Sequence, residues 1–503
     1  MKILTAAQIR AGDAYTIRHE PIDSIALMER AAKQCAHWLE QKFAADCPFY
    51  IFCGTGNNGG DGLALTRLLH DAGREAMAYM LPYSDRISPD CRTNQTRLEH
   101  AYGAKLRAIH RTADFPALPE NAVLVDALFG TGLNRPLEGL PAELVRQINK
   151  TTRPVVAIDI PSGLQAEENP ADPVVVQADH TLSFEGYKLA FLFPENATYT
   201  GQIHLLPIGI HPDYIRQTDS PYLLVQPEDI HRQLIRRNAF SHKGTYGHVL
   251  IVAGSRGKTG AAVLATKTAV HSGAGLVTAY VPADAYDILQ TTVPEAMCCC
   301  DPEAHYLTTF EPALKQYDAV GLGPGIGMAQ ETADFLRKAL EHLSAPLVLD
   351  ADALNLLGKE PALLSRLGPQ TILTPHPKEF ERLFGPTANA FERLQLQMQQ
   401  SQRLQVTIVL KGHHSCVTTP SGEAWFNTTG NAGMATGGSG DVLTGLLAGL
   451  LAQGYPAPIA AVLGVWLHGK AGDLALENDS MESLSASGLI DFLGAAFKSG
   501  HKM

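Results

Sequence analysis

Apolar residues recur at helical spacing from the start of the chain. Gln8 to Arg18 reads as one helix, and Ile22 to Phe43, with Ile25, Met28, Ala32 and Leu39 on one face, as a second. At Tyr50 the period changes: YIFCGTGNNGGDGLALTRLLHDAG passes from a short apolar run through glycines into an amphipathic helix, a strand–loop–helix unit. The same grammar returns in VLVDALFGTG (123 to 132) and PVVAIDIPSGL (154 to 164). These strands are continuous apolar runs rather than alternating ones, as expected of a parallel sheet with helices on both faces.

After Gly186-Tyr187-Lys188 the chain turns Pro-rich and polar, and a linker is expected within about residues 212 to 230. A fresh series of strand–Gly–helix units then runs through HVLIVAGSRGKTGAA, DAVGLGPGIG, PLVLDADALNLL, TILTPHPKEFERL and VTIVLKGHHSCVTT, and ends in NAGMATGGSGDVLTGLLAG. The pattern predicts an α/β chain of two tandem domains, residues 1–220 and 221–503, since one core rarely serves so long a chain.

Composition narrows the function. With 45% hydrophobic and 18% charged residues the chain is an ordinary globular one, and its formal charge of −11 without a basic block argues against a nucleic-acid partner. No apolar leader or membrane-length run is seen, so a cytoplasmic location is expected. The eight cysteines form neither a CxxC pair nor a zinc spacing and read as reduced thiols.

In the first half, the glycines of GTGNNGGDG let backbone approach a ligand, and the helix start behind them offers free N–H groups to an anion. The spacing matches neither the dinucleotide fingerprint nor the P-loop, so a purely structural turn stays open. Asp126 and Asp159 end two strands, and in a parallel sheet such positions lie at the carboxyl edge where ligands bind. Asp159 could move a proton or only cap the turn. Lys188 could be its partner or a solvated charge. Asn58, Asp126 and Ser162 supply hard oxygens that suit an alkali or alkaline-earth ion, or water.

In the second half, Gly257-Lys258-Thr259-Gly260 departs from Walker spacing. His376 stands between two prolines, which fixes its backbone and raises the expectation that its ring faces the crevice. Lys411 follows a strong strand and could meet a phosphate. In GGSGD, Gly437, Gly438 and Gly440 expose N–H groups at a helix start, and Asp441 in the first turn is expected to stay ionised among them. Such a loop can hold a transferring phosphoryl group while the acid takes a hydroxyl proton.

GNNGGDG, VDALFGTG and IDIPSGL, followed in order by GLGPGIG, LTPHPKE, LKG and NAGMATGGSGDVLTG, together resemble the bifunctional NAD(P)H-hydrate repair enzymes over nearly the whole chain. The resemblance implies a Rossmann-like three-layer epimerase domain followed by a ribokinase-like three-layer dehydratase domain. The implied substrates are NADHX and NADPHX, in which water has added to the reduced nicotinamide ring. The first domain would interconvert the R and S forms, and the second would dehydrate the S form with ADP, releasing AMP and phosphate.

By the same resemblance Asn57, Asn58, Gly59, Gly60 and Asp61, with Gly130, Thr131, Gly132, Leu133, Asn134, Arg135 and Pro136, hold the hydrated dinucleotide. Asp159 is the acid/base residue with Lys188 as helper, and Asn58, Asp126 and Ser162 bind K⁺. In the second domain Ala262, Gly327, His376 and Asp441 surround the hydrated cofactor, while Lys411, Gly412, His413, His414, Ser415 and Gly440 hold the adenine nucleotide with Mg²⁺ on its phosphates. Asp441 would activate the ring hydroxyl. A homo-oligomer is expected from the general habit of such enzymes. The rival reading is a small-molecule kinase in the second half, which shares the GxGD turn.

Overall fold

The computed structural model describes residues 1–84, 86–168, 172–309 and 316–501. The chain divides into two compact units, residues 2–220 and residues 1 with 221–503.

In the first unit the strands are β1 (Phe49–Cys53), β2 (Ala76–Met80), β3 (Leu106–Ala108), β4 (Val123–Ala127), β5 (Val155–Ile158), β6 (His180–Phe184) and β7 (Gln202–Leu206). They pair in the order β3-β2-β1-β4-β5-β6-β7, all parallel. Successive residues point to opposite faces: Ile51 and Val125 enter one core with Leu39, Leu63 and Leu69, while Phe52 and Leu124 enter another with Leu144 and Ile148. Burying each such side chain contributes roughly 1.5–3 kcal/mol, which explains why the strands read as unbroken apolar runs. Strand order reverses direction between β1 and β4, so their carboxyl ends open the crevice where this topology binds ligands.

The second unit holds β8 (Tyr222–Leu224), β9 (His248–Val252), β10 (Leu276–Pro282), β11 (Met297–Asp301), β12 (Ala319–Leu322), β13 (Leu347–Leu349), β14 (Thr371–Leu373), β15 (Thr407–Leu410), β16 (Cys416–Thr418) and β17 (Ala424–Phe426). They form one sheet in the order β11-β10-β9-β12-β13-β14-β15-β16-β17-β8. Pairing is parallel from β11 to β15 and antiparallel through β15, β16 and β17. Val249 and Ile251 face the layer containing the helices Thr259–His271, Ser439–Ala452 and Ala457–Ala475; Leu250 and Val252 face the other.

The stretch 212–230, expected as a linker, contains the division between the two units at 220/221 and is itself built of regular elements. It contains the helix Pro212–Gln217, β8 and the start of the helix Pro227–Gln233, each helix opened by a proline whose missing N–H costs nothing there. Short elements with many polar residues leave no periodic signal to read. Among the described residues no helix is long and apolar enough to cross a membrane, and all eight cysteines are free thiols.

Candidate active sites

At the crevice of the first sheet, β1 runs through Gly54 into the helix Asn57–Asp71. A Cβ on Gly59 would lie 1.9 Å from the Gly54 carbonyl oxygen, and one on Gly54 1.9 Å from that of Leu128, so only glycine allows the turn to fold this tightly. The turn delivers Asn58 and Asp61, both buried, to the edge of the sheet. The Asn58 amide donates from Nδ2 to the Phe129 carbonyl at 2.9 Å, while its Oδ1 is buried with no hydrogen-bond partner.

Asp126, in β4, and Ser162, after β5, close the same corner. Ser162 donates from Oγ to Asp126 Oδ1 at 2.6 Å and from its N–H to Oδ2 at 2.7 Å, and Leu128 N–H adds a third bond at 3.1 Å. Burial nevertheless pushes the Asp126 carboxyl up to about 6 against those bonds. An orphaned amide oxygen, a carboxylate, a hydroxyl and a carbonyl therefore meet in one buried corner.

Asp159 follows β5 with φ +66, a left-handed conformation that aspartate tolerates better than most residues. Its Oδ1 lies 2.8 Å from Lys188 Nζ. Lys188 is 1% exposed and donates also to Ser183 Oγ at 2.9 Å and the Phe184 carbonyl at 3.0 Å, so the solvated-charge alternative does not hold. A Cβ at Gly130 would stand 3.5 Å from both Asn58 Cγ and Asp159 Oδ2, which places these two side chains around one bare stretch of backbone. Beyond it, Thr131 and Leu133 are half-buried and Gly132, Asn134, Arg135 and Pro136 are exposed, a loop open to a ligand. Burial first, then the charges of Asp159 and Asp13, hold the Asp61 carboxyl well above the usual range.

In the second unit the GGSGD loop opens the helix Ser439–Ala452, with Gly438 at φ +94 as its N-cap. Asp441 stands in the first turn of this helix. Burial, then the negative charge of Asp350, raises its carboxyl to about 6, with Lys411 pulling the other way. Asp350, which the sequence reading did not select, is the hub of this site. Its Oδ1 pairs with Lys411 Nζ at 2.7 Å and its Oδ2 accepts from Thr444 Oγ1 at 2.8 Å. Desolvation works against the Lys411 ammonium, but Asp350 and Glu379 outweigh it and raise its pKa above the ordinary lysine value. A Cβ on Gly440 would lie 3.6 Å from both Asp350 Oδ2 and Lys411 Nζ, so this pair sits directly under the loop.

Gly327 N–H donates to Asp352 Oδ2 at 2.9 Å, and Lys258 Nζ reaches the same oxygen at 3.0 Å. Asp352 in turn contributes to raising Asp441. Ala262 is buried in the helix Thr259–His271 and packs on Gly254. His376 is the N-cap of the helix Pro377–Phe384: its Nδ1 accepts from Lys378 and Glu379 N–H, which leaves the proton on Nε2. Its ring is 44% exposed. Its Nε2 stands 3.5 Å from Glu379 Oε1, so both ring nitrogens serve the helix start while the side chain stays partly exposed. Gly412 and Ser415 close a tight turn after β15, with His413 exposed and its ring 4.4 Å from that of His414. Burial lowers His414 to about 4.

Two family models match the chain: the YjeF-related protein N-terminus over residues 24–190 and NAD(P)H-hydrate dehydratase over residues 249–493. Over 98% of its length the chain is 38% identical to the bifunctional NAD(P)H-hydrate repair enzyme of Moorella thermoacetica, covering 96% of that protein. The chain belongs to the bifunctional NAD(P)H-hydrate repair enzymes. A family member from Leishmania infantum is 34% identical over 95% of this chain and 90% of its own. A solved ribokinase-like superfamily protein from Enterococcus faecalis superposes with a TM-score of 0.50 at 27% identity, covering 56% of this chain and 98% of that one. As a family member the chain combines isomerase and lyase, epimerising and dehydrating hydrated NADH and NADPH. The dehydratase match favours this over a small-molecule kinase in the second half.

Proposed function

We propose that Asp159 and Asp441 are the reacting carboxylates of the two activities, and the observation carrying this reading is that each unit sets an acid near a lysine withdrawn from solvent, buried Lys188 and half-buried Lys411, at the carboxyl edge of its sheet. Water adds to an enamine at the carbon bonded to nitrogen, so the hydrated ring carries a hydroxyl beside its ring nitrogen. Epimerisation there needs a group that takes and returns the hydroxyl proton, a role open to Asp159 Oδ2 beside Gly130. The backbone from Asn57 to Asp61 and the loop from Gly130 to Pro136 hold the dinucleotide.

In the second unit, the glycine loop and Lys411 hold the phosphates of ADP, with Gly412 to Ser415 along the nucleotide. Asp441 takes the proton of the ring hydroxyl as its oxygen attacks the β-phosphorus of ADP, and AMP leaves. The phosphorylated oxygen then departs as phosphate with the C–O electron pair, and the neighbouring carbon gives up a proton to water, its C–H pair restoring the double bond. Gly327, Ala262 and the partly exposed ring of His376 line the approach to the hydrated ring.

The oxygens of Asn58, Phe129, Ser162 and Asp126 fit a potassium ion, since Asn58 Oδ1 is otherwise a buried acceptor without a donor. Bound there, the ion would offset the Asp126 charge and favour an anionic ligand at the glycine turn. Among the described residues no group of three carboxylate, thiol or imidazole side chains is arranged for a metal, so Mg²⁺ would ride on the nucleotide phosphates.

The test is recovery of reduced-nicotinamide absorbance from mixed R and S hydrate with ADP and Mg²⁺. The intact chain should recover all of it, Asp159→Asn about half at short times, and Asp441→Asn almost none. Absence of recovery with either ADP or ATP would overturn the assignment.

A further inference from the structure

The helix Ala6–His19 lies outside the matched family segment 24–190, yet it packs against the epimerase centre. Ala6, Asp13 and Ile17 are spaced by seven and four, which puts them on one helical face. Ala6 packs against the cluster that holds Ile160, the residue after Asp159, and against which Tyr187, the residue before Lys188, also packs. Ile17 packs in the cluster that contains Phe184, whose carbonyl takes a Lys188 proton. The adjoining turns are fixed as well: Gly12 abuts the Tyr214 ring, and Thr16 Oγ1 accepts from His211 N–H at 2.9 Å. Asp13 is therefore a half-buried acid on a packed apolar face, between two anchors that both lead to the Asp159–Lys188 pair.

The groups facing it are Asp159 after β5 and Glu185 and Lys188 after β6, with Asp61 coupled to it from the helix Asn57–Asp71. Glu185 is committed to the N–H groups of Ile208 and Gly209. Lys188 spends its three protons on Asp159, Ser183 and Phe184. Among the described residues Asp13, Asp61 and Asp159 thus share a single neighbouring ammonium, that of Lys188, and Asp13 and Asp61 are both held above the usual carboxylate range. Burial, then Asp159, raises Asp13 to about 6, within the working range of a general acid.

Resting on the epimerase reading above, we propose that Asp13 is the second acid–base residue of that centre, the proton donor paired with Asp159 as acceptor. Asp159 takes the hydroxyl proton, and the O–H electron pair forms a carbonyl at that carbon. The C–N pair collapses onto the ring nitrogen, which takes the proton of Asp13. Rotation of the freed aldehyde, then attack of nitrogen on its other face, reverses each transfer. The product is the opposite epimer, and both acids recover their starting protonation. No net proton, electron or co-reactant is consumed.

The experiment uses the full chain with Asp13→Asn and Asp13→Glu. It follows equilibration of the separated R form by chromatography without ADP, across pH, and dehydration of the S form as a measure of the other unit. Asp13→Asn should lower kcat for epimerisation by about 10²-fold or more with KM changed by less than about twofold, and should lose the high-pH limb. Asp13→Glu should restore part of kcat and that limb, and S-form dehydration should be unaltered in both. Epimerisation by Asp13→Asn within about threefold of the unaltered chain, with both limbs intact, would overturn this inference and leave the epimerase reading standing. So would a loss that Asp13→Glu does not relieve and that follows a fall in thermal stability. Failure of the unaltered chain to equilibrate the epimers would overturn both.

Discussion

Asp350→Asn tests the electrostatics of the dehydratase centre. The amide keeps the shape of the carboxylate, and its oxygen can still accept from Lys411 while its nitrogen donates to Thr444 Oγ1, so the fold should survive. What changes is charge. Asp350 is the largest charge raising Asp441, and Lys411 is the group opposing it. Removing the first leaves the second uncompensated, and both changes lower the Asp441 pKa. Two like unit charges within ~10 Å of each other interact by about 2 kcal/mol at an effective dielectric near 20, or ~1–2 pKa units. Asp441 must be ionised to accept a proton, so activity is present above its pKa and lost as pH falls through it. The acid limb of kcat for S-form dehydration should move from about 6 in the unaltered chain down by ~1–2 units in the variant. The plateau should fall modestly, because a weaker base is a poorer proton acceptor. Steady-state rates across pH at saturating ADP measure this. A limb that stays in place or moves upward would refute the coupling of Asp350 to Asp441.

Two further outcomes follow from single distances. Ser162→Ala removes a hydroxyl from the Asn58–Asp126 corner, so epimerisation should lose its activation by potassium when K⁺ is exchanged for a bulky organic cation at constant ionic strength, while S-form dehydration is unchanged. Gly445→Ala would gain about 1 kcal/mol of helix propensity in isolation. Its Cβ would stand 2.1 Å from the Ala265 carbonyl oxygen, however. Overpacking of about 1–3 kcal/mol should therefore win, and thermal unfolding should show a lower Tm.

The residues that were legible in sequence are those whose position along a strand fixes their place in space. Asp126, Asp159 and Asp441 each stand at a strand end or a helix start, and parallel topology carries such positions to one edge. Asp350 obeys the same rule, closing β13 in VLDADAL as Asp159 closes β5, so its signal was present and went unused. Asp13 carried no such signal: an acid inside a helix is ordinarily a solvated one, and only the packing of Ala6 and Ile17 turns that face inward. Environment was equally hidden. The helix N–H groups that favour an ionised Asp441 are local, whereas the burial and the Asp350 charge that raise its carboxyl to about 6 come from chain distant in sequence.

The two lysines separate the roles that their sequence contexts left mixed. Lys188 has three oxygen partners within 3.0 Å and is 1% exposed, so no donor remains for a ligand; its charge can act only on Asp159 and its neighbours. Lys411 has one short partner, Asp350 at 2.7 Å, and a distant second, Glu379 at 3.9 Å. Among the described residues it keeps donors to spare, beside the glycine loop at Gly440. A saturated lysine stabilises a base by fixed charge, whereas an unsaturated one can also receive an incoming phosphate. That difference matches the chemistry assigned to each unit, since epimerisation needs acid–base groups to open and reclose the ring without any phosphate, and dehydration needs a phosphoryl group held in line.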